Sequence, residues 1–364
     1  MSFNSSFKKD IIIFVLLLLI TTMMFVFGWY FDISKPHAGI GWADQTMYAN
    51  VTERFLSGHL PSSSQFHYSI GYSLLGFLGG LITPNDPFLL VCYGFFVSSI
   101  IFCYFGSKNI IGSWWSLLFI ALLLGWDGVT RTFNYSSELF FIPWNNQVMY
   151  FSFAYFFWQF SNRSKPSYTS IIFGAIIVGI TFLCREESII FLAPLYFGWL
   201  FISKVRWIFI LASIPIIGLI YLPQIIMKAD VLGSISDSGR AKSYSATLEQ
   251  YLNLSKLNQN FSEVIVGNEN TVRRKSLLQS SPWLALSIGG IVLLLASKAI
   301  DIRMKLYVLV SLWLLIFYLS GINMSAHKLQ YHCLRYISPS FIVLNFSSVF
   351  FVRKIIFFLK GKKI

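Results

Sequence analysis

Residues 11–30 read IIIFVLLLLITTMMFVFGWY, twenty positions without a charge. At 1.5 Å per residue, a helix of that length covers ~30 Å, the thickness of a bilayer's hydrocarbon core. Lys8 and Lys9 precede the run as they would in a secretory signal. No small-residue cleavage site follows, so the run reads as a retained signal-anchor helix. Further apolar segments recur at 69–82, 88–105, 110–126, 138–160, 168–183, 188–202, 207–225, 281–297, 306–322 and 337–352. Over 364 residues, 55% are hydrophobic, 18% aromatic and 12% charged, against about 25% charged in a soluble domain. A soluble enzyme, a disordered chain and a secreted disulfide scaffold are excluded. The fold class expected is an all-α polytopic membrane protein.

Charge placement sets the number of spans. The segment 69–82 is short and carries Gly71, Gly76, Gly79 and Gly80. If it does not cross, there are about ten spans, and 15 of the 28 Lys and Arg lie at the end that holds both termini. Outside the long 226–280 segment, only six lie at the other end. A crossing at 69–82 reverses this balance, so the positive-inside rule favours ten spans, cytoplasmic termini and 69–82 at the outer interface. Of 15 acidic residues only Asp10 and Asp301 then fall inside. The net charge of +13 therefore reports orientation and not nucleic acid, and carboxylates meet cations on the outer face. Cys92, Cys103, Cys184 and Cys333 have no paired spacing and read as small buried hydrophobes.

Three regions follow: a membrane module at 1–225 with its first outer loop at 31–87, an outer segment at 226–280, and C-terminal spans at 281–364. In the first loop, Met47, Val51 and Phe55, with Tyr48 and Leu56 beside them, make an apolar stripe at helical period. This predicts an amphipathic interfacial helix that stops near Gly58. Asp44 stands at its start, where a carboxylate caps backbone N–H groups and, kept ionised, can also serve as a general base. His67 and Tyr68 lead into the glycine-rich segment. Asp127 ends the third span, and Glu138 reads as the acid that opens the fourth.

Arg185, Glu186 and Glu187 sit between two apolar runs with almost no loop to lift them into water. Charges there are paired with each other or face a wet cavity. An Arg–Glu staple between helices is one reading; Arg185 on a phosphate, with a Glu on a metal or sugar hydroxyl, is the other. Lys328, His332 and Arg335, followed by Tyr336, form a basic group suited to a lipid or pyrophosphate anion. In the 226–280 segment, the apolar positions from Leu248 to Ile265 fit an amphipathic helix over the cavity, an acceptor platform or lid.

In order, Asp44-Gln45, His67 to Leu75, Ser137-Glu138, Arg185-Glu186-Glu187 and Arg335-Tyr336 with Pro339 resemble the motifs of the GT-C superfamily. These are multi-span glycosyltransferases that use polyprenyl-phosphate-linked sugars, of the protein mannosyltransferase and lipid A aminoarabinose transferase kind. Gln45 departs from the pattern where a second acid is common, and Ile70 where a proline is common. The resemblance implies a GT-C-like helical bundle and inverting sugar transfer to a glycan, lipid or protein acceptor on the outer leaflet. Asp44 would be the base. Arg185, Lys328, His332, Arg335 and Tyr336 would hold the donor phosphate, and His67, Tyr68, Asp127, Glu138, Glu186 and Glu187 the substrate. A divalent cation, Mg or Mn, is the one cofactor it leaves open; membrane lipids are partners and nucleic acid is not.

A polymerase or ligase of lipid-linked glycans shares this substrate class and is the alternative among enzymes. A flippase or transporter would place ionisable groups at mid-membrane, where these spans carry almost none. The abundance of Asn, Ser, Ile and Lys points to a bacterial inner membrane, with the endoplasmic reticulum as second choice.

Overall fold

The computed structural model describes residues 5–31, 43–63, 69–127, 132–133, 140–141, 143–233, 253–266, 276–321 and 335–361. The chain is a helical bundle. Its first two membrane-length helices are α1 (Ser5–Val26, continued by a π-wound turn to Phe31) and α4 (Leu89–Ile111). Two further helices, α2 (Ala43–Leu56) and α3 (Gly71–Gly80), lie between them. Next come α5 (Ser113–Leu124), α6 (Asn146–Ser161), α7 (Tyr168–Cys184), α8 (Ile189–Ile202) and α9 (Trp207–Leu232). The bundle closes with α10 (Leu254–Asn260), α11 (Leu277–Ser280), α12 (Ser287–Ala296, after a 3-10 turn from Pro282), α13 (Ile302–Gly321) and α14 (Ser340–Leu359). Strands are confined, among the described residues, to two-residue partners, Trp126–Asp127 and Thr132–Phe133.

By length and composition, five helices can cross a membrane: Asp10–Tyr30, Leu89–Ile111, Trp207–Leu232, Ile302–Gly321 and Ser340–Leu359. The shorter helices α5 to α8 and α12 occupy the other five expected positions. Such segments are helical because hydrocarbon offers no partner for a free N–H or C=O, so the backbone bonds itself. Gly112 turns α4 back into α5 at φ +81°, a conformation that a side chain would strain. The ten residues of α3 span only ~15 Å, too short to cross, as the charge balance requires.

Aromatic rings fill the interior. Helix α6 is buried along nearly its whole length. Phe140, Phe141 and Trp144 wedge in just before it, with Phe140 5.3 Å from the Tyr150 ring and Phe96 5.3 Å from Phe140. Helix α6 is described from Asn146, and Pro143 and Trp144 just before it are non-helical; Glu138 lies outside the described residues. Helix α9, Trp207–Leu232, runs past 225, and its Lys228 finds a carboxylate inside the fold.

At one end of the bundle the two acids are both paired: Asp10 with Lys108 at 2.7 Å and Asp301 with Arg303 at 2.8 Å. Cys92, Cys103 and Cys184 are buried free thiols, while Cys333 lies outside the described residues.

At the other end, α3 packs directly on the C-terminus of α7. A Cβ on Gly71 would sit 2.6 Å from the Leu183 carbonyl carbon and 2.7 Å from the Cys184 nitrogen. Backbone atoms cannot yield as a flexible side chain can. Gly71→Ala is therefore expected to cost about 1–3 kcal/mol of stability, read as a lower unfolding midpoint in detergent. An unchanged midpoint would mean that the two elements are not held in this contact.

Candidate functional site

The second end gathers the C-termini of α7, α9 and α13, the N-termini of α6 and α8, and the turn at 335–337 before α14. Hydrogen bonds lock these together. Asn145 Nδ2 donates to the Cys184 carbonyl at 3.2 Å, and Asn146 Nδ2 to the Arg335 carbonyl at 3.2 Å. The two basic junctions singled out in the sequence, 150 residues apart, thus both hang from the start of α6.

Arg185 is 3% exposed. Its Nη2 donates to the Tyr318 hydroxyl at 3.1 Å and lies 2.8 Å from Glu187 Oε1. Its guanidinium carbon stands 4.6 Å from the Tyr336 ring centroid and 5.5 Å from that of Tyr318. Arg335 takes Tyr336 at 5.0 Å and Trp144 at 4.9 Å, and donates to the Tyr336 hydroxyl at 3.1 Å. The result is an alternating stack: Trp144, Arg335, Tyr336, Arg185, Tyr318. Ring faces attract cations, more strongly where water is excluded. Burial works against the charge on Arg185, but Glu187, with the Tyr318 and Tyr336 hydroxyls, outweighs it and raises its pKa above the ordinary arginine value. Arg185 is paired with Glu187, and Arg335 stands across the Tyr336 ring from it.

Glu186 turns the other way. Its Oε1 takes Lys228 Nζ at 2.6 Å and Gln224 Nε2 at 3.0 Å, and Gln224 Oε1 accepts from the Ile70 N–H at 2.9 Å. The Arg185-Glu186-Glu187 junction therefore splits in two. Arg185 and Glu187 serve the aromatic stack, while Glu186 ties α7 to α9 and to the start of α3.

Helix α2 lies over α3. Thr52 donates to the Ser73 carbonyl at 3.1 Å, Ser73 to the Tyr48 carbonyl at 3.2 Å, and the Tyr48 and Tyr72 rings meet edge to face at 5.0 Å. Tyr72 in turn donates to Gln147 of α6 at 3.1 Å. The expected helix is present, but its buried face is rotated. Gln45, Tyr48, Val51 and Thr52 point inward, Met47 and Phe55 are half-buried, and Leu56 is exposed. Hydropathy misplaced the face because α2 rests on polar backbone and tyrosines, where Gln and Thr fit better than Leu. Gln45 is 0% exposed, and neither atom of its carboxamide has a hydrogen-bond partner among the described residues. Sequence analysis noted it only as a departure from the motif; its place one turn before Tyr48 is the signal that could have found it.

Asp44 is the second residue of α2, inside the first turn and not at the cap. Asp127 lies in the short strand pair. His67, Tyr68, Glu138, Lys328 and His332 lie outside the described residues. Beyond the stack, Asn260 of α10 donates to the Leu319 carbonyl at 2.6 Å. Val264 and Ile265 of the following π-wound turn are buried, so this helical piece packs on the end of α13. Among the described residues, no three His, Cys, Asp or Glu side chains gather to hold a metal ion. Glu186 and Glu187 are each committed to a cation, so they do not fit a divalent-metal ligand set.

A helical bundle with five helices able to cross a membrane fits the all-α membrane fold class expected from the sequence. No protein-family model matches the chain, and no curated protein matches it. Among solved structures it is similar to ArnT from Cupriavidus metallidurans, crystallised bound to undecaprenyl phosphate. The TM-score is 0.63 over 95% of this chain at 11% identity. This chain spans 60% of the length of that protein. At that identity, the likeness is one of fold.

Proposed function

We propose that the protein is a membrane glycosyltransferase that moves a sugar from a polyprenyl-phosphate carrier to a hydroxyl acceptor on the outer leaflet of a bacterial inner membrane. The observation that carries this reading is the stack of Arg185 and Arg335 between aromatic rings, beneath the helix that bears Asp44. A phosphate monoester leaving group is the anion that such a pair suits, and forked guanidiniums bind it bidentately.

In this reaction the acceptor oxygen forms a bond to the anomeric carbon from the face opposite the phosphate. The bond from that carbon to the phosphate oxygen breaks, and the electron pair leaves with the polyprenyl phosphate. The acceptor proton passes to the Asp44 carboxylate. Arg185 and Arg335, preorganised by their ring partners, stabilise charge where it grows. Lys328 and His332, in the segment leading to Arg335, are assigned to the same phosphate, and Tyr336 to positioning both arginines. His67, Tyr68, Asp127, Glu138 and Glu187 are assigned to substrate hydroxyls, and Glu186 to holding the junction. No step is routed through a metal.

The test uses membranes that contain the protein and a labelled undecaprenyl-phosphoryl sugar panel. Label is expected to move to an endogenous glycan or lipid with release of undecaprenyl phosphate. With a labelled undecaprenyl-diphosphoryl glycan added in place of the panel, release of undecaprenyl diphosphate with chain growth would favour a polymerase instead, and vesicle translocation without transfer would favour a flippase.

A further inference from the structure

We propose that Gln45 reads a hydroxyl of the donor's sugar ring, setting which sugar-loaded lipid the site accepts. This deepens, and rests on, the donor reading above. Its carboxamide is fully enclosed, and neither its oxygen nor its nitrogen is bonded among the described residues. A buried amide left without partners weakens the fold, so such a group points to a partner that arrives from outside.

Position narrows the partner. Gln45, Tyr48 and Thr52 share one face of α2 at spacings of three and four residues. Thr52 is bonded to α3, and Tyr48 packs on Tyr72 and contributes to the field at Arg185. Gln45 therefore lies one turn before Tyr48 on the same face and next to Asp44 in the chain. A sugar carried by a phosphate at Arg185 would have to pass close to Tyr48, and so would come within one helical turn of Gln45. A neutral carboxamide offers one acceptor and two donors, which complements a hydroxyl or a vicinal hydroxyl pair. It adds no charge to compete with the Asp44 carboxylate.

The test compares wild type with Gln45→Met, which keeps the length and removes the polarity. Two readings are taken on purified protein in detergent: the unfolding midpoint without lipid, and binding of bare undecaprenyl phosphate against undecaprenyl-phosphoryl hexoses and pentoses. The expected result is a midpoint at or above wild type, unchanged affinity for the bare lipid, and about 10-fold weaker binding of the preferred sugar-loaded lipid. A midpoint several degrees lower would overturn the proposal, since the amide would then be bonded within the protein. Equal weakening for bare and loaded lipid, or none for the loaded one, would also overturn it while leaving the donor reading intact. If wild type binds neither kind of lipid, the donor reading itself falls and takes the sugar assignment with it. The lipid-free midpoint still reports on the amide separately.

Discussion

Asp44→Asn is expected to slow sugar transfer about 10²–10⁴-fold, the range that a positioned base contributes, with protein level and unfolding midpoint close to wild type. The substitution is nearly isosteric and leaves α2 intact. Asp44 occupies the first turn of that helix, where unpaired N–H groups and the dipole favour an anion. A carboxylate can accept a proton; a carboxamide cannot. Because the proposed phosphate site is Arg185 and Arg335 and not Asp44, binding of undecaprenyl phosphate is expected to be unchanged in the variant. The loss should fall on kcat at saturating donor. Transfer at the wild-type rate would reduce Asp44 to a helix-terminal charge and move the base to Glu138 or Glu187.

Much of this architecture was legible in the sequence because hydrocarbon permits so few backbone solutions. The apolar runs marked ten helical positions, and the charge balance removed 69–82 from the crossings; α3 is indeed only Gly71–Gly80. The stop of α2 near Gly58, at φ +75°, was equally readable. What escaped were places where tertiary partners override local pattern. Apolarity alone could not tell that Pro143 and the buried rings of Phe140, Phe141 and Trp144 stand outside the helix described from Asn146. Nor could it show that Lys228 stays inside α9, since its partner Glu186 lies 42 residues earlier. The site was half legible. Arg185 stood out as a charge without a loop, yet the residue that completes its environment, Tyr318, sits in an unremarkable apolar span. Gln45 drew attention only as a departure from the motif, because hydropathy gives no reason to bury an amide.

Arg185→Ala is expected to lower transfer about 10²–10³-fold, the effect of removing one preorganised donor from a developing oxyanion, and Arg185→Lys to recover only part of it. The distinction rests on geometry. The arginine meets Glu187, the Tyr318 hydroxyl and two ring faces at once. An ammonium is a point charge that cannot fill the same planar slot between Tyr336 and Tyr318. If Lys restored full activity, charge alone would be sufficient and the stack would be packing. Stability should fall by only about 1–3 kcal/mol in the alanine variant. Glu187, which keeps its side chain 47% exposed, is left to solvent and not stranded in the interior. Arg335 supplies the control. If both guanidiniums grip one phosphate through the shared Tyr336 ring, losing the second after the first should cost much less than losing it alone, so the double-variant cycle will be strongly non-additive. Additive losses would put the two arginines on separate anions. Bound undecaprenyl phosphate, measured across the same four proteins, should follow the same pattern, because the group that leaves in the reaction is the group that binds.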